Sequence, residues 1–520
     1  MKSLMAVVLC ASTMVACAGR RQVPAPTGGH QPEPVAPVMM PAAQVSAPPL
    51  ARAVLQHVAD SAIAAPAWRN ARWGILMVDA ASGDTLYSHD ADKLFMPASN
   101  QKLLTGAIAL QVLGPDYQWK TPVLVRGTQA GTVLRGDLLV AGSGDPTVSD
   151  SLRNGNAFSA FDPVVDALKA RGITRITGDI VAVGDAFPGI STGFGWEVDD
   201  LDEPYGAAVD ELLFNEGFVS VTVYGGRKAG ASTSVVRRPT LQYPAVINSV
   251  VTREPTQPGP RVRMVYDSVA AAIVLTGSIA VGDSTRITAS YRHPNDAYRA
   301  ALRERLVASG IRVDGKTTPT LASKLAAATD TLTTLVSLPL RTALERMQKP
   351  SQNQIAELLF RTSGLVASGD GSADSARAVA ARTLGMWGVA NEAVAYRDGS
   401  GMSRHDYVTP RAIVQVLDVM HRSSWGPVYR SALPLAGVDG TIQNRMKNTP
   451  AAGNANAKTG TVDKARSLSG YVTSADGRVI LFSLLCNNFT ATNRDVEQVQ
   501  DKLVVLLASL RFDDGSLRGR

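Results

Sequence analysis

A chain of 520 residues, 45% hydrophobic and 19% charged, holds enough apolar material for two or three soluble domains, which excludes disorder throughout. The net charge of +7 and pI near 9.3 would suit a polyanionic partner, but the basic residues are dispersed and no Lys/Arg block is interleaved with aromatics, so nucleic-acid binding gains no support. The six histidines are scattered without metal-ligand spacing, and no phosphate-loop or dinucleotide fingerprint occurs, so neither a metal nor a cofactor is expected.

In chain order, the first element is an export signal: Lys2 supplies positive charge, and Leu4 to Val15 is an apolar run too short to span a bilayer. Met14-Val15-Ala16-Cys17 resembles a bacterial lipobox, which would make Cys17 the lipidated first residue of the mature chain. Ordinary signal-peptidase cleavage nearby, with Cys17 incidental, is the alternative. Apart from Cys17 the cysteines are Cys10, lost with the signal, and Cys486. No disulfide framework is therefore expected even in an oxidising compartment, and Cys486 reads as a small core hydrophobe within the apolar run Val479 to Cys486.

Residues 18–50 turn to Pro, Ala, Gln and Gly, a composition that builds no core. As an extended tether they would reach up to about 90 Å at about 3.1 Å per residue. A helical stretch opens the globular part near Ala51. Strands follow at Arg72 to Asp79 and Thr85 to His89, joined by the turn Ala81-Ser82-Gly83-Asp84. A helix starts near Ser99, with apolar residues at helical spacing from Lys102 to Leu113.

From 123 to 330 the texture changes to short β-like runs: Gly136 to Val140, Ile180 to Val183, Val219 to Tyr224, Val262 to Val265 and Ala271 to Leu275. One helical run, Phe161 to Arg171, interrupts them. We read this region as one or two small β-rich domains inserted into a domain made of 51–122 and 331–513. Helices return at Leu340 to Gln348, Gln354 to Ala367, Ser372 to Gly388 and Pro410 to His421. Strands Ser467 to Thr473 and Arg478 to Cys486 and a helix from Asn493 to Leu510 close the chain before a tail at 514–520. Strands at both ends around a helical middle predict one sheet built from both chain termini.

Three short motifs carry the chemistry. In Ser99-Asn100-Gln101-Lys102, positions i and i+3 share a helix face, so the lysine amine can meet the serine hydroxyl, and the backbone N–H at a helix start favours an oxyanion. Ser-x-x-Lys alone is common by chance at average composition. Ser351-Gln352-Asn353 offers a hydroxyl and an amide; its plain reading is a helix N-cap and polar turn. Lys458-Thr459-Gly460-Thr461 reads as an edge strand whose cation could lower the pKa of Lys102, whose glycine would let substrate backbone approach, and whose threonines could bind a carboxylate. A solvated strand end is the alternative.

Order, spacing and flanks together resemble the class C low-molecular-mass penicillin-binding proteins, D-alanyl-D-alanine carboxypeptidases and endopeptidases, over roughly Ala51 to Phe512. The flanks are Phe95-Met96-Pro97-Ala98, Gly142-Ser143-Gly144-Asp145-Pro146-Thr147, Asp398-Gly399-Ser400-Gly401-Met402-Ser403-Arg404-His405 and Leu435-Ala436-Gly437-Val438-Asp439-Gly440-Thr441. Trp196 followed by Asp199-Asp200 agrees as well. The resemblance implies an α/β penicillin-recognising serine transpeptidase/β-lactamase-like fold split by a β-rich insert. It further implies that Ser99 attacks the D-Ala-D-Ala bond of a peptidoglycan stem peptide or cross-link and that Lys102 takes its proton. Ser99 and Thr461 N–H groups would form the oxyanion hole. Ser351, polarised by Lys458, would protonate the leaving amine; Asn353 would hold the substrate amide and Lys102; Thr459 and Thr461 would grip the terminal carboxylate. β-Lactams would stall the enzyme as acyl adducts. Asp145 reads as a turn residue. Arg404 could meet a substrate carboxylate bidentately or only an internal acid.

Two alternatives stand beside this reading. A serine β-lactamase shares the motifs but is usually about half this length and lacks the insert, and no glutamate for deacylation stands out. A non-catalytic wall-binding or β-lactam-sensing protein would have less need of an intact Ser99, Lys102 and Lys458. The expected address is periplasmic or cell-envelope, with the membrane reached through lipid on Cys17.

Overall fold

The computed structural model describes residues 49–315 and 329–512. The export signal, Cys17, nearly all of the Pro-rich segment and the 514–520 tail lie outside them. The first described element is a helix, Pro49–Ile63, so helical structure takes in the last two residues of the expected tether. It buries Ala51, Leu55 and Ala59, a four-residue spacing that gives one apolar stripe.

Five antiparallel strands form the central sheet in the order Asn456–Val462, Ala465–Thr473, Val479–Asn487, Arg72–Asp79, Thr85–His89. Arg72 pairs with Asn487 and Asp79 with Ile480, so the sheet is built from both chain ends. Closing a loop of roughly 400 residues costs on the order of 5 kcal/mol from its length. Burial of Trp73, Ile75, Leu76, Met77 and Val78, at about 1.5–3 kcal/mol each, exceeds that. Strand alternation sends Leu76 and Val78 to one face and Trp73, Ile75 and Met77 to the other. The first face carries helices Gln101–Leu113, Leu340–Gln348, Asn353–Ser368 and Pro410–Arg422; the second carries Pro49–Ile63 and Asn493–Ser509. Cys486 is a buried free thiol on the second face.

The segment between these halves, the insert, leaves through Lys120–Ala130 and returns through Thr329–Val336, two strands paired antiparallel. They belong to a six-stranded sheet, and three smaller sheets follow. All share a core around Leu138, Phe161, Phe214, Val221, Tyr298 and Leu302. The insert holds a second helix, Pro294–Ala308, which was not expected. Its buried positions Ala297, Tyr298, Ala301, Leu302 and Leu306 have helical spacing, but Arg299, Arg303, Glu304 and Arg305 between them hide the pattern. A short helix, Gly426–Ala432, was also missed, its seven residues being too few to show a period.

Candidate active site

Ser99 stands in a single 3-10 turn, Ala98–Asn100, that runs into the helix Gln101–Leu113. Residues i and i+3 eclipse in such a turn, and Lys102 Nζ donates to Ser99 Oγ at 3.0 Å. Ala98 is held at φ 47°, a left-handed conformation that costs a non-glycine residue about 1–3 kcal/mol. The fastenings around it offset that cost. Ser467 Oγ donates to the Pro97 carbonyl at 2.6 Å, and Asn100 Nδ2 donates to the Lys458 carbonyl at 2.8 Å. Gly401, at φ 79°, packs so tightly on this turn that a Cβ would stand 1.9 Å from the Ala98 carbonyl oxygen.

Lys102 is fully buried. Besides Ser99 it donates to Asn353 Oδ1 at 2.6 Å and to the Ser400 carbonyl at 2.6 Å. Burial lowers its pKa from 10.5 to about 7, against the pull of Asp398, Glu357 and Asp406. An amine in this range can hold or release a proton near neutrality, as a general base must. Lys458 was expected to be the cause. Burial is the larger cause, and the repulsion between the two amines, which is mutual, adds to it: burial and then Lys102 push Lys458 well below the ordinary lysine value.

Lys458 lies on the edge strand Asn456–Val462 and donates to Ser351 Oγ at 2.8 Å. Ser351 adopts φ 67°, so it is not a helix N-cap; Gln352 caps the helix Asn353–Ser368 by accepting from Gln354 and Ile355 N–H. Asn353 has Nδ2 on the Tyr205 carbonyl of the insert at 2.9 Å, which leaves its second N–H for a substrate carbonyl. Thr459 Oγ1 donates to Thr441 Oγ1 at 2.7 Å, and Thr461 Oγ1 accepts from Arg466. Gly460 was expected to make room for substrate. Its closest constraint is internal: a Cβ there would stand 2.1 Å from Ser467 Oγ, 2.6 Å from the Pro97 oxygen and 2.9 Å from Ser99 N.

Arg404 meets two acids of this chain, Glu197 of the insert at 2.7 Å and Asp463 beyond the edge strand at 3.8 Å. Asp145 is buried and accepts from Thr147 N and Thr147 Oγ1, both at 2.7 Å, a turn role. The structure thus gathers Ser99, Lys102, Ser351, Asn353 and Lys458 around one amine pair, with Gly460 against the nucleophile turn. Arg404 lies among surface acids.

Sequence reasoning gave Asp398 no role and did not single out the buried acids Glu357 and Asp406 or the insert's contacts. Glu357 Oε1 accepts from Gly399 and Ser400 N–H at 2.8 and 2.9 Å, and burial pushes this glutamic acid up to about 8. Burial and the neighbouring Asp398 push Asp406 well above the ordinary aspartate value. Trp196 Nε1 donates to Asp398 Oδ2 at 2.7 Å. Glu357 follows Asn353 by one helical turn, which was the available signal for it. Among the described residues, no group of three or more His, Cys, Asp or Glu side chains could hold a metal.

Residues 55–510 match the D-Ala-D-Ala carboxypeptidase 3 (S13) family. The chain is 29% identical to the D-alanyl-D-alanine carboxypeptidase of an Actinomadura species over 87% of this chain and 84% of that one. It is 25% identical to D-alanyl-D-alanine carboxypeptidase DacB of Haemophilus influenzae over 83% and 88%. The crystal structure of penicillin binding protein 4 (dacB) from that organism superposes with a TM-score of 0.70 at 24% identity, covering 85% of this chain and 97% of that one.

Proposed function

The chain belongs to the D-Ala-D-Ala carboxypeptidase 3 (S13) family, a serine peptidase family, and we propose that it cleaves D-Ala-D-Ala stem peptides and their cross-links in peptidoglycan through an acyl-enzyme on Ser99. The observation that carries this reading is the position of Lys102 Nζ. The amine is buried, lowered to about 7, and 3.0 Å from Ser99 Oγ, while Lys458 Nζ lies 2.8 Å from Ser351 Oγ.

Ser99 Oγ attacks the penultimate D-Ala carbonyl as Lys102 takes the hydroxyl proton. Backbone N–H groups of Ser99 and Thr461 receive the oxyanion. The C–N bond breaks as Ser351 gives its proton to the leaving amine and recovers one from the lysine pair. Water then adds to the acyl carbonyl, passing its proton through Lys102, and Ser99 Oγ departs as the restored hydroxyl. Asn353 orients the substrate amide through its second N–H, and Thr459 and Thr461 take the terminal carboxylate. Arg404 exchanges Glu197, 54% exposed, for a stem side-chain carboxylate.

The test is a fluorescent penicillin followed over hours on the purified protein and on Ser99→Ala. Stable label lost in Ser99→Ala is expected. Label that disappears within seconds would make the protein a β-lactamase, and no label would make it a binding protein.

The Haemophilus penicillin binding protein 4 has also been crystallised with a β-lactam, which supports that probe. We also propose export to the cell envelope with lipid on Cys17. Among the described residues no helix is long and apolar enough to cross a membrane. Unchanged processing at Cys17 under a lipoprotein signal peptidase inhibitor would remove the anchor.

A further inference from the structure

Lys102 has a support that none of the three motifs supplies. The Ser400 carbonyl accepts from Lys102 Nζ at 2.6 Å. At the other end of that same peptide plane, the Gly401 N–H donates to Asp398 Oδ1 at 2.6 Å. A single planar amide therefore stands between the Asp398 carboxylate and the catalytic amine, and a carboxylate pulling on its N–H adds negative charge to its carbonyl oxygen.

The carboxylate is built in, at 1% exposure. Oδ1 also accepts from Ser400 N at 3.1 Å. Oδ2 accepts from Ser400 Oγ and Ser403 N, both at 3.0 Å, and from Trp196 Nε1 at 2.7 Å. Converging donors of this kind offset the cost of burying a charge. The Trp196 bond comes from the insert, so the setting of the base depends on a residue almost a hundred positions from it in sequence.

We propose that Asp398 is a positioning residue for the peptidase reaction: through the Ser400–Gly401 amide it aims Lys102 at Ser99 and lends negative charge to the lysine as it accepts the serine proton. Trp196 couples this support to the insert. The proposal rests on the reading of Lys102 as the base.

The other groups facing Lys102 do not replace Asp398. Lys458 approaches from the edge strand as a cation or neutral amine. Glu357, from the helix Asn353–Ser368, is pushed up to about 8 by burial and is largely protonated at neutral pH, and Asp406, from the loop after Arg404, is held well above the ordinary aspartate value by burial and by its contact with Asp398. Asp406 Oδ1 accepts from Arg397 and Asp398 N–H, and Arg361 faces Glu357 from one turn further along its helix.

The experiment is the pH profile of acylation by a fluorescent penicillin, measured between pH 5 and 10 on the parent protein and Asp398→Asn. Losing a nearby anion disfavours the charged lysine, so the acid limb of the variant moves to lower pH by about 1 unit or more, and the plateau rate falls because the amide is no longer held. A limb unmoved beside a lower plateau gives Asp398 a purely structural role and overturns the proposal, as does an unchanged profile. A parent with no acid limb near neutrality removes the Lys102 reading itself, and the proposal with it.

Trp196→Phe covers the case in which Asp398→Asn does not fold. It takes one donor from the carboxylate while keeping its charge, so more of that charge reaches the amide and the limb moves to higher pH. A Trp196→Phe profile that coincides with the parent's overturns the coupling through Asp398.

Discussion

Gly460→Ala tests how closely the edge strand must approach the nucleophile. The glycine is not left-handed, so the penalty is steric. The new Cβ would stand 2.1 Å from Ser467 Oγ, 2.6 Å from the Pro97 oxygen and 2.9 Å from Ser99 N. Contacts relax only near about 3.5 Å, so the strand must retreat by roughly an ångström. Overpacking of this kind costs about 1–3 kcal/mol, a few degrees of Tm. On the proposed mechanism the catalytic loss is larger, because Thr461, whose N–H would receive the oxyanion, follows Gly460 and moves away with it. Removing one oxyanion donor lowers rates by about 100- to 1,000-fold.

Stopped-flow acylation by a fluorescent penicillin, read beside thermal unfolding, separates the two effects. A fall of that size with Tm only slightly lower is expected. Acylation within about threefold of the parent would refute the argument, since one oxyanion donor is worth far more than that. A companion, Gly460→Ala with Ser467→Gly, removes the nearest clashing atom but leaves the Pro97 oxygen and Ser99 N in place. Full recovery there would mean that the crowding lies in the neighbouring strand and not at the nucleophile turn.

Three further outcomes follow from the same geometry. With Lys102 lowered by burial to about 7, acylation should rise about tenfold per pH unit below that value and level above it, as read by the same stopped-flow assay. Burial alone would lift Glu216, but Arg346, at 2.9 Å, and the Ser149 and Ser151 hydroxyls hold it below the usual glutamate value. Arg346→Ala should therefore cost about 3 kcal/mol in urea unfolding, the low end for a buried pair because the arginine is partly solvated. This contribution is present above the ordinary glutamate pKa and is lost as pH falls through the folded value, so parent and variant should converge in acid. Arg404→Ala should slow turnover of stem peptides that carry a free side-chain carboxylate more than those without one; identical responses would retire Arg404 as a substrate contact.

Much of the central sheet was legible because its strands are long, apolar and bounded by turns: Arg72–Asp79 and Thr85–His89 fall where their patterns end. The helix Leu340–Gln348 was legible from its spacing. Pro294–Ala308 was not, because four charged residues interrupt its apolar face. The motif residues could be named since each is a reactive side chain in a short string. The crowding at Gly460 could not, because the atoms an added Cβ would meet belong to Pro97, Ser99 and Ser467. How strongly burial lowers Lys102 was hidden for a similar cause. A sequence shows which cations exist but not how deeply each is buried.

By itself, then, the sequence determined the candidate nucleophile, the candidate bases, the order of the motifs and the sheet built from both chain ends. These are properties of local pattern and residue chemistry. Only the tertiary structure decided which groups surround Lys102: Asn353 from one helix, the Ser400 carbonyl from a loop and, behind that carbonyl, Asp398 tied to Trp196 of the insert. Desolvation and hydrogen bonding act through space over a few ångströms, and the chain brings those atoms together from positions about two hundred to three hundred residues apart.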